Sequence, residues 1–225
     1  MFQDSLHTLC CQLSQQYSRE LTEDEIIRSI HIYKFPTILG SIWSFTGHFY
    51  KWPQTLLTRD DLPESTRTSL EENLQDELGR CGTAPHTQMF MDMAKSMGVT
   101  LDGSQPPGPL MAQTLKNAKE LPVNRAIGAF FANESQSKWG GFINVFSNQP
   151  GINMEFFNIH ARETQHTQSL LNGVIEDDIT DLLSGVIAFS KSRATFMNSI
   201  RSLITKPVAP LKESNIPLYT EQLNY

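Results

Sequence analysis

Apolar residues recur at spacings of three and four along the chain, which is the period of an α-helix. Valines and isoleucines seldom form the alternating runs that predict β-strands. The sequence therefore predicts an all-α fold. At 225 residues the chain is long enough for one domain with a substantial core. We expect a single helical domain over 1–206 and a proline-containing tail over 207–225.

Prolines, glycines and one capping motif set the boundaries of the first predicted helices. The first helix covers roughly residues 3–20. The sequence TEDE at 22–25 has the form of a capping box and opens a second helix, which is interrupted at Pro36. A further helix begins at Pro63 and stops near Gly79, because glycines and a proline follow and break the apolar repeat.

The later boundaries follow the same signals. Pro85 suits the first turn of a new helix. A long helix starts after Pro122, with the glycine pair at 140–141 as an irregularity. The segment 150–173 is bounded by a proline and a glycine, and a final long helix covers about 175–204.

The charge balance restricts the classes of partner. The chain has 18 basic and 24 acidic residues, which gives a net charge of −6. An acidic chain lacks a non-specific attraction to nucleic acid or to an anionic membrane surface. We therefore expect a small-molecule substrate or a protein partner, and no nucleic acid. A monomer and a homodimer both remain open.

Cysteine usage and the apolar segments predict the compartment. Cys10, Cys11 and Cys81 are odd in number and form no Cys-x-x-Cys pair, so neither a disulfide framework nor a thiolate zinc site is indicated. The first twenty residues lack a basic start and a small-residue cleavage pattern, and no run of about 18 apolar residues occurs. We expect a cytoplasmic protein without membrane insertion.

The sequence HARETQH carries the densest group of potential metal ligands. Glu163 lies between His160 and His166 on a helix, each roughly 60° to one side of it, so all three can face one cavity. Phenylalanines at 156–157 and leucines at 170–171 continue the apolar side. Histidine and carboxylate ligands together suit iron, manganese or zinc. A solvated polar helix face is the alternative reading of this stretch alone.

Two other regions supply similar side chains. Glu134 continues the apolar stripe that contains Phe130 and Phe131, which predicts a buried carboxylate. Glu77 and His86 are nine residues apart and would lie on different sides of one unbroken helix, but the break between them lets both face one point. Each of these residues could instead be an ordinary residue of the protein surface.

Together these positions contain three carboxylates and three imidazoles, the inventory of a two-metal site. Two divalent ions carry four positive charges against about three negative charges on the carboxylates, so roughly one positive charge is left for an anionic substrate group. Such a site could activate dioxygen. A single Glu-x-x-His motif disfavours a ferritin-like bundle, which needs two. A mononuclear iron site formed by the HARETQH residues alone remains open. The six candidates are Glu77, His86, Glu134, His160, Glu163 and His166.

The order of these segments resembles the haem-oxygenase-like diiron oxidases and oxygenases, near the cyanobacterial relatives of the Chlamydia protein associating with death domains. The resemblance rests on NLQDE followed by His86, then Glu134, then the helix with His160 and His166, and covers about residues 20–205. It implies a bundle of seven or eight helices without haem. It also implies that the six candidates bind two iron ions, or manganese, and that dioxygen oxidises a small amino-acid-like or fatty-acid-like substrate.

Two spacings depart from that family pattern. Glu163 follows His160 by three residues where many members have four, and the interval from Glu77 to His86 is longer than expected. Two other functions are compatible with the same fold. One is a metal-free hydrolase of the thiaminase type with Cys81 as nucleophile, and the other is a non-enzymatic protein-interaction module.

Overall fold

The computed structural model describes residues 2–79, 82–136, 139–160, 166–174 and 178–205. All regular secondary structure in these ranges is helical, which confirms the predicted all-α class. The helices are α1 (Phe2–Gln16), α2 (Glu23–His31), α3 (Phe35–Thr46), α4 (Lys51–Leu56), α5 (Glu64–Glu77), α6 (His86–Ser96), α7 (Pro109–Glu120), α8 (Val123–Ser135), α9 (Gly140–Phe146), α10 (Glu155–His160), α11 (His166–Leu170) and α12 (Ile179–Thr205).

Local sequence signals explain several helix starts. Thr22 and Glu25 form the predicted capping box: the Glu25 amide donates to Thr22 Oγ1 at 3.2 Å, and the Thr22 amide donates to Glu25 Oε2 at 2.9 Å. Pro63 and Pro85 directly precede α5 and α6. Their fixed φ suits the residue before a helix, and neither position needs a backbone N–H donor there.

Two predicted helices have different bounds. The first ends at Gln16 rather than near residue 20, and the chain continues without regular structure to the capping box. The long helix after Pro122 ends at Ser135, a new helix begins at Gly140 at the predicted glycine pair, and Trp139 before it has a left-handed backbone with φ of 76°. Gly141 then lies against the carbonyl of Leu21, where a Cβ would not fit.

The most extensive helix pair is α8 with α12. Gly128 on α8 faces the Leu182 carbonyl, and Gly185 on α12 faces the Arg125 carbonyl; a Cβ at either glycine would overlap that oxygen. The missing side chains therefore let the two backbones approach closely. Other described helices pack on this pair: α1, α2, α3, α4, α7 and α11.

The core contains two apolar clusters. The first includes Trp52, Phe130 and Phe131, and the Trp52 and Phe130 ring centroids are 5.2 Å apart. The second includes Phe90 and Phe156, whose ring centroids are 4.9 Å apart. Aromatic pairs at these distances stabilise the packing beyond their buried area. A cavity lies where side chains of both clusters meet.

No helix among the described residues is long and apolar enough to cross a membrane. The tail predicted from residue 207 lies outside the described residues, so the division into domain and tail stays a prediction.

Candidate metal centre

A cavity of about 550 Å³ contains four of the six predicted metal ligands in its walls. Glu77, His86, Glu134 and His160 line it together with mainly apolar side chains. These four residues come from α5, α6, α8 and α10. The fold thus brings three separate regions of the sequence to one cavity.

Glu77 and His86 form the most buried pair in this space. Glu77 ends α5 and is 7% exposed, and His86 begins α6 and is 4% exposed. His86 Nδ1 lies 3.0 Å from Glu77 Oε1, and in the tautomer protonated at Nδ1 it donates to this oxygen. Because Gly79 has φ of 72°, the chain turns sharply between the two helices and the side chains meet.

His160 is the third described residue, after Glu77 and His86, of a group that could hold a metal ion. Its ring centroid lies 4.8 Å from that of His86, and one possible ligand atom from each of Glu77, His86 and His160 lies within 4.8 Å of the others. The His160 Nδ1–H donates to the Phe156 carbonyl at 2.7 Å. In the neutral ring this hydrogen bond puts the lone pair on Nε2, which is then the nitrogen that can bind a metal.

The donor set fits a divalent metal ion. Two adjacent ligands of an ion with bonds near 2.1 Å are about 3 Å apart, which matches the distance between Glu77 Oε1 and His86 Nδ1. The same contact also fits Glu77 as the acceptor that orients the imidazole while Nε2 binds the metal. Imidazole and carboxylate ligands are compatible with iron, manganese and zinc.

Glu134 is half-buried near the end of α8, not fully buried as its apolar stripe predicts. Its position in the cavity wall explains the difference, because the carboxylate projects from the apolar stripe toward the cavity. Asn133 Nδ2 donates to Glu134 Oε1 at 3.0 Å, and Asn73 Nδ2 donates to Glu134 Oε2 at 3.4 Å. Asn73 lies one turn before Glu77 on α5, so its bond to Glu134 connects the two carboxylate-bearing helices.

The other predicted ligands cannot be placed in the same way. Glu163 lies outside the described residues, and so does the side chain of His166, whose backbone begins α11. Cys81, the nucleophile of the alternative hydrolase, is also outside the described residues. Their roles stay predictions.

Several polar residues of the cavity were missed at the sequence level. His7 Nε2 lies 3.0 Å from Thr167 Oγ1, which links α1 to α11. Arg193 pairs with Glu20 and Gln136 in the same cavity. Arg193 lies four residues before the buried Met197, on the same side of α12. A charged residue on the apolar side of a helix is a signal that could have identified Arg193 from the sequence.

The thiol of Cys11 also lines the cavity and contacts the imidazole of His7. Its sulfur lies 3.8 Å from both ring nitrogens of His7, a long contact that the two nitrogens share. Burial raises the pKa of the Cys11 thiol, which disfavours the reactive thiolate.

Comparisons with known proteins agree with this fold and donor set. A family model described as "Iron-containing redox enzyme" matches residues 38–186. Two crystal structures of a CADD-like protein of unknown function from Nostoc punctiforme are similar. The 2.00 Å structure has a TM-score of 0.73 at 15% identity over 92% of this chain and 100% of that chain. The 1.35 Å structure has a TM-score of 0.64 at 12% identity over 92% and 99%.

No curated protein matches the chain. The two structural matches confirm the predicted fold, a CADD-like bundle of the haem-oxygenase type, and the family match confirms the resemblance to iron-containing redox enzymes.

Proposed function

The chain belongs to the family of iron-containing redox enzymes, and from this premise we propose that it is a non-haem diiron oxidase or oxygenase. The substrate is a small organic molecule, and dioxygen is the co-substrate. The proposed ligands of the two iron ions are Glu77, His86, Glu134, His160, Glu163 and His166.

The observation that carries this proposal is the convergence of Glu77, His86 and His160 in the wall of a cavity. Two of these side chains are less than one tenth exposed. Burying carboxylate and imidazole groups together is costly unless they are paired or bind a cation. A divalent ion would satisfy this requirement, and the family match supports iron as that ion.

Iron bound by these residues would supply the redox chemistry that activates dioxygen. The chain's own contribution is to fix the ligands. The Phe156 carbonyl sets the orientation of the His160 ring, and the Phe156 ring lies 4.2 Å from it, centroid to centroid. Asn73 and Asn133 hold the Glu134 carboxylate at the cavity.

Iron analysis of the protein purified after growth with iron tests the proposal. We expect about two irons per chain, the number that the two-metal site requires. The His160→Ala variant loses iron, whereas His31→Ala, which removes an exposed histidine of α2, does not. Glu134→Ala is compared in the same way with the exposed Glu155→Ala.

The outcomes separate the alternatives. One iron per chain that depends on His160 would support the mononuclear site instead. Bound manganese would change the metal but keep the site. A metal-free protein with an activity that disappears on alkylation of Cys81 would support the hydrolase and refute the oxidase.

A further inference from the structure

Trp139 lies one aromatic ring away from a proposed metal ligand. The ring centroid of Phe156 is 5.2 Å from that of Trp139 and 4.2 Å from that of His160. All three side chains line the cavity, and Trp139 is buried. An indole gives up an electron more readily than a phenyl ring or an imidazole does. Trp139 is therefore the oxidisable member of this group of rings.

A second tryptophan continues the ring contacts away from the cavity. The ring centroid of Phe90 is 5.9 Å from that of Trp139 and 5.6 Å from that of Trp43, on which it stacks. Trp43 is also buried, and its Nε1–H donates to the Asp102 carbonyl at 3.1 Å. Asp102 is exposed and lies in the segment before α7. Aromatic rings in contact thus connect His160 to an exposed segment of the chain.

The two indoles differ in the surroundings of their N–H groups. Trp139 Nε1 is buried and has no hydrogen-bond partner among the described residues, whereas Trp43 Nε1 donates to the Asp102 carbonyl. An indole that has lost an electron is a cation, and its N–H then forms a stronger, charge-assisted hydrogen bond. Trp43 is therefore easier to oxidise than Trp139. An electron consequently moves from Trp43 to an oxidised Trp139 and not in the opposite direction.

This order directs electrons toward the cavity. We propose that Trp43 and Trp139 form a route that supplies single electrons to the metal centre; this inference rests on the proposed oxidase function. Trp139 passes one electron to iron that dioxygen has oxidised, and Trp43 then reduces Trp139. A small one-electron reductant of the ascorbate class, acting at the exposed segment around Asp102, reduces Trp43. Each indole keeps its N–H proton, so the reductant loses one electron for each electron that reaches the iron.

The third tryptophan of the chain provides a matched control. Trp52 is as deeply buried as Trp43 and Trp139. Its described ring contacts are with phenylalanines of the first apolar cluster, and none of them joins it to His160: Phe45, Phe49, Phe130 and Phe189. Trp52→Phe therefore removes a buried indole but leaves the proposed route intact.

Freeze-quench electron paramagnetic resonance tests the route. The iron-loaded protein is reduced without oxygen and is then mixed with oxygenated buffer in the absence of a substrate. We expect the signal of an indole radical, which becomes narrower when the protein contains ring-deuterated tryptophan. Absence of an indole radical in a protein that binds iron and consumes oxygen overturns the proposal.

Variants then assign the radical to the two residues of the route. Trp139→Phe loses the signal, because a phenyl ring is not oxidised in place of the indole. Trp43→Phe keeps the radical on Trp139 and slows its decay after ascorbate is added. Trp52→Phe has the signal and the decay of the parent protein. A signal that survives in Trp139→Phe, or an equal loss in Trp52→Phe, contradicts the route.

A double variant repeats the test without a change at Trp139. Trp43→Phe combined with Trp52→Phe leaves Trp139 as the remaining tryptophan of the sequence. We expect an indole radical that decays slowly in ascorbate. If this variant binds iron and consumes oxygen but forms no indole radical, the route is refuted.

Iron content and oxygen consumption are measured on the same samples. Iron that reacts with oxygen without an indole radical overturns this inference alone. A protein that takes up no iron refutes the oxidase and the route together. Thermal unfolding of each variant shows whether a loss of the signal reflects loss of the fold.

Discussion

His86 Nδ1 lies 3.0 Å from Glu77 Oε1, although the two residues belong to different helices and are separated by a turn. Gly79 makes this approach possible. Its φ is 72°, and a Cβ there would lie 2.5 Å from the Thr83 carbonyl oxygen and 2.6 Å from Pro85 N. The turn after α5 thus controls the geometry of the most buried pair of proposed ligands.

We predict that Gly79→Ala lowers the free energy of unfolding by at least about 2 kcal/mol, because the clash adds to left-handed strain. The variant also binds less iron, since the start of α6 must move away from Glu77. Denaturant unfolding and iron analysis check the two effects. Gly82→Ala is the control: Gly82 has φ of 89° in the same turn, but nothing lies within 4 Å of its Cβ position. Equal iron loss in both variants would contradict the role of the clash.

Asn133 orients the Glu134 carboxylate through a 3.0 Å hydrogen bond and is itself buried. We predict that Asn133→Ala weakens iron binding about 10- to 100-fold, the usual effect of removing a residue that orients a metal ligand. Competition with an iron chelator measures the affinity. Asn144→Ala removes a comparable but exposed bond to Glu23 and leaves iron affinity unchanged. Unchanged affinity in the Asn133 variant would show that its hydrogen bond does not orient a metal ligand.

The close contact of α8 with α12 gives a stability prediction. Gly185→Ala places a methyl group against the Arg125 carbonyl, and we expect the free energy of unfolding to fall by about 1–3 kcal/mol. We expect Gly40→Ala to raise the free energy of unfolding by about 0.5–1 kcal/mol, because Gly40 lies inside α3 and nothing is within 4 Å of its Cβ position. Chemical denaturation of the two variants measures both changes in the free energy of unfolding. A neutral Gly185→Ala variant would refute the close backbone approach.

His48 gives a pH prediction. It is 6% exposed, its Nε2 has no hydrogen-bond partner among the described residues, and burial, with the nearby Lys51 charge, holds its pKa below the usual 6.5. Because the unfolded chain takes up this proton more readily, stability falls as the pH drops below 6.5 and levels off below the folded-state pKa.

We expect His48→Gln to remove this part of the pH dependence of unfolding, whereas the exposed His31→Gln does not. Urea titrations of the three proteins between pH 4 and 8, a window that includes the usual histidine pKa, make the comparison. If the parent and the His48 variant show the same pH slope, the buried imidazole does not titrate as described.

Much of the fold was predictable because the signals are local. The Thr22 capping box, the prolines before α5 and α6 and the helical apolar period depend on residues within a few positions of each other. The break at Trp139 was placed slightly too late, because its left-handed backbone is imposed by packing and not by residue type. A tryptophan in this conformation has no local sequence signature.

For the site, the sequence by itself determined which residues could bind metal and that a Gly-Pro break could turn Glu77 toward His86. Only the tertiary structure decided that His160 meets this pair, that Asn73 and Asn133 hold Glu134, and that Arg193 faces Glu20 across 173 residues of chain. The reason is physical: periodicity shows which side of a helix is buried, whereas the partner of that side depends on how closely separate helices approach. In this chain the approach of α8 to α12 requires glycines on both helices, and side chains of both helices line the cavity.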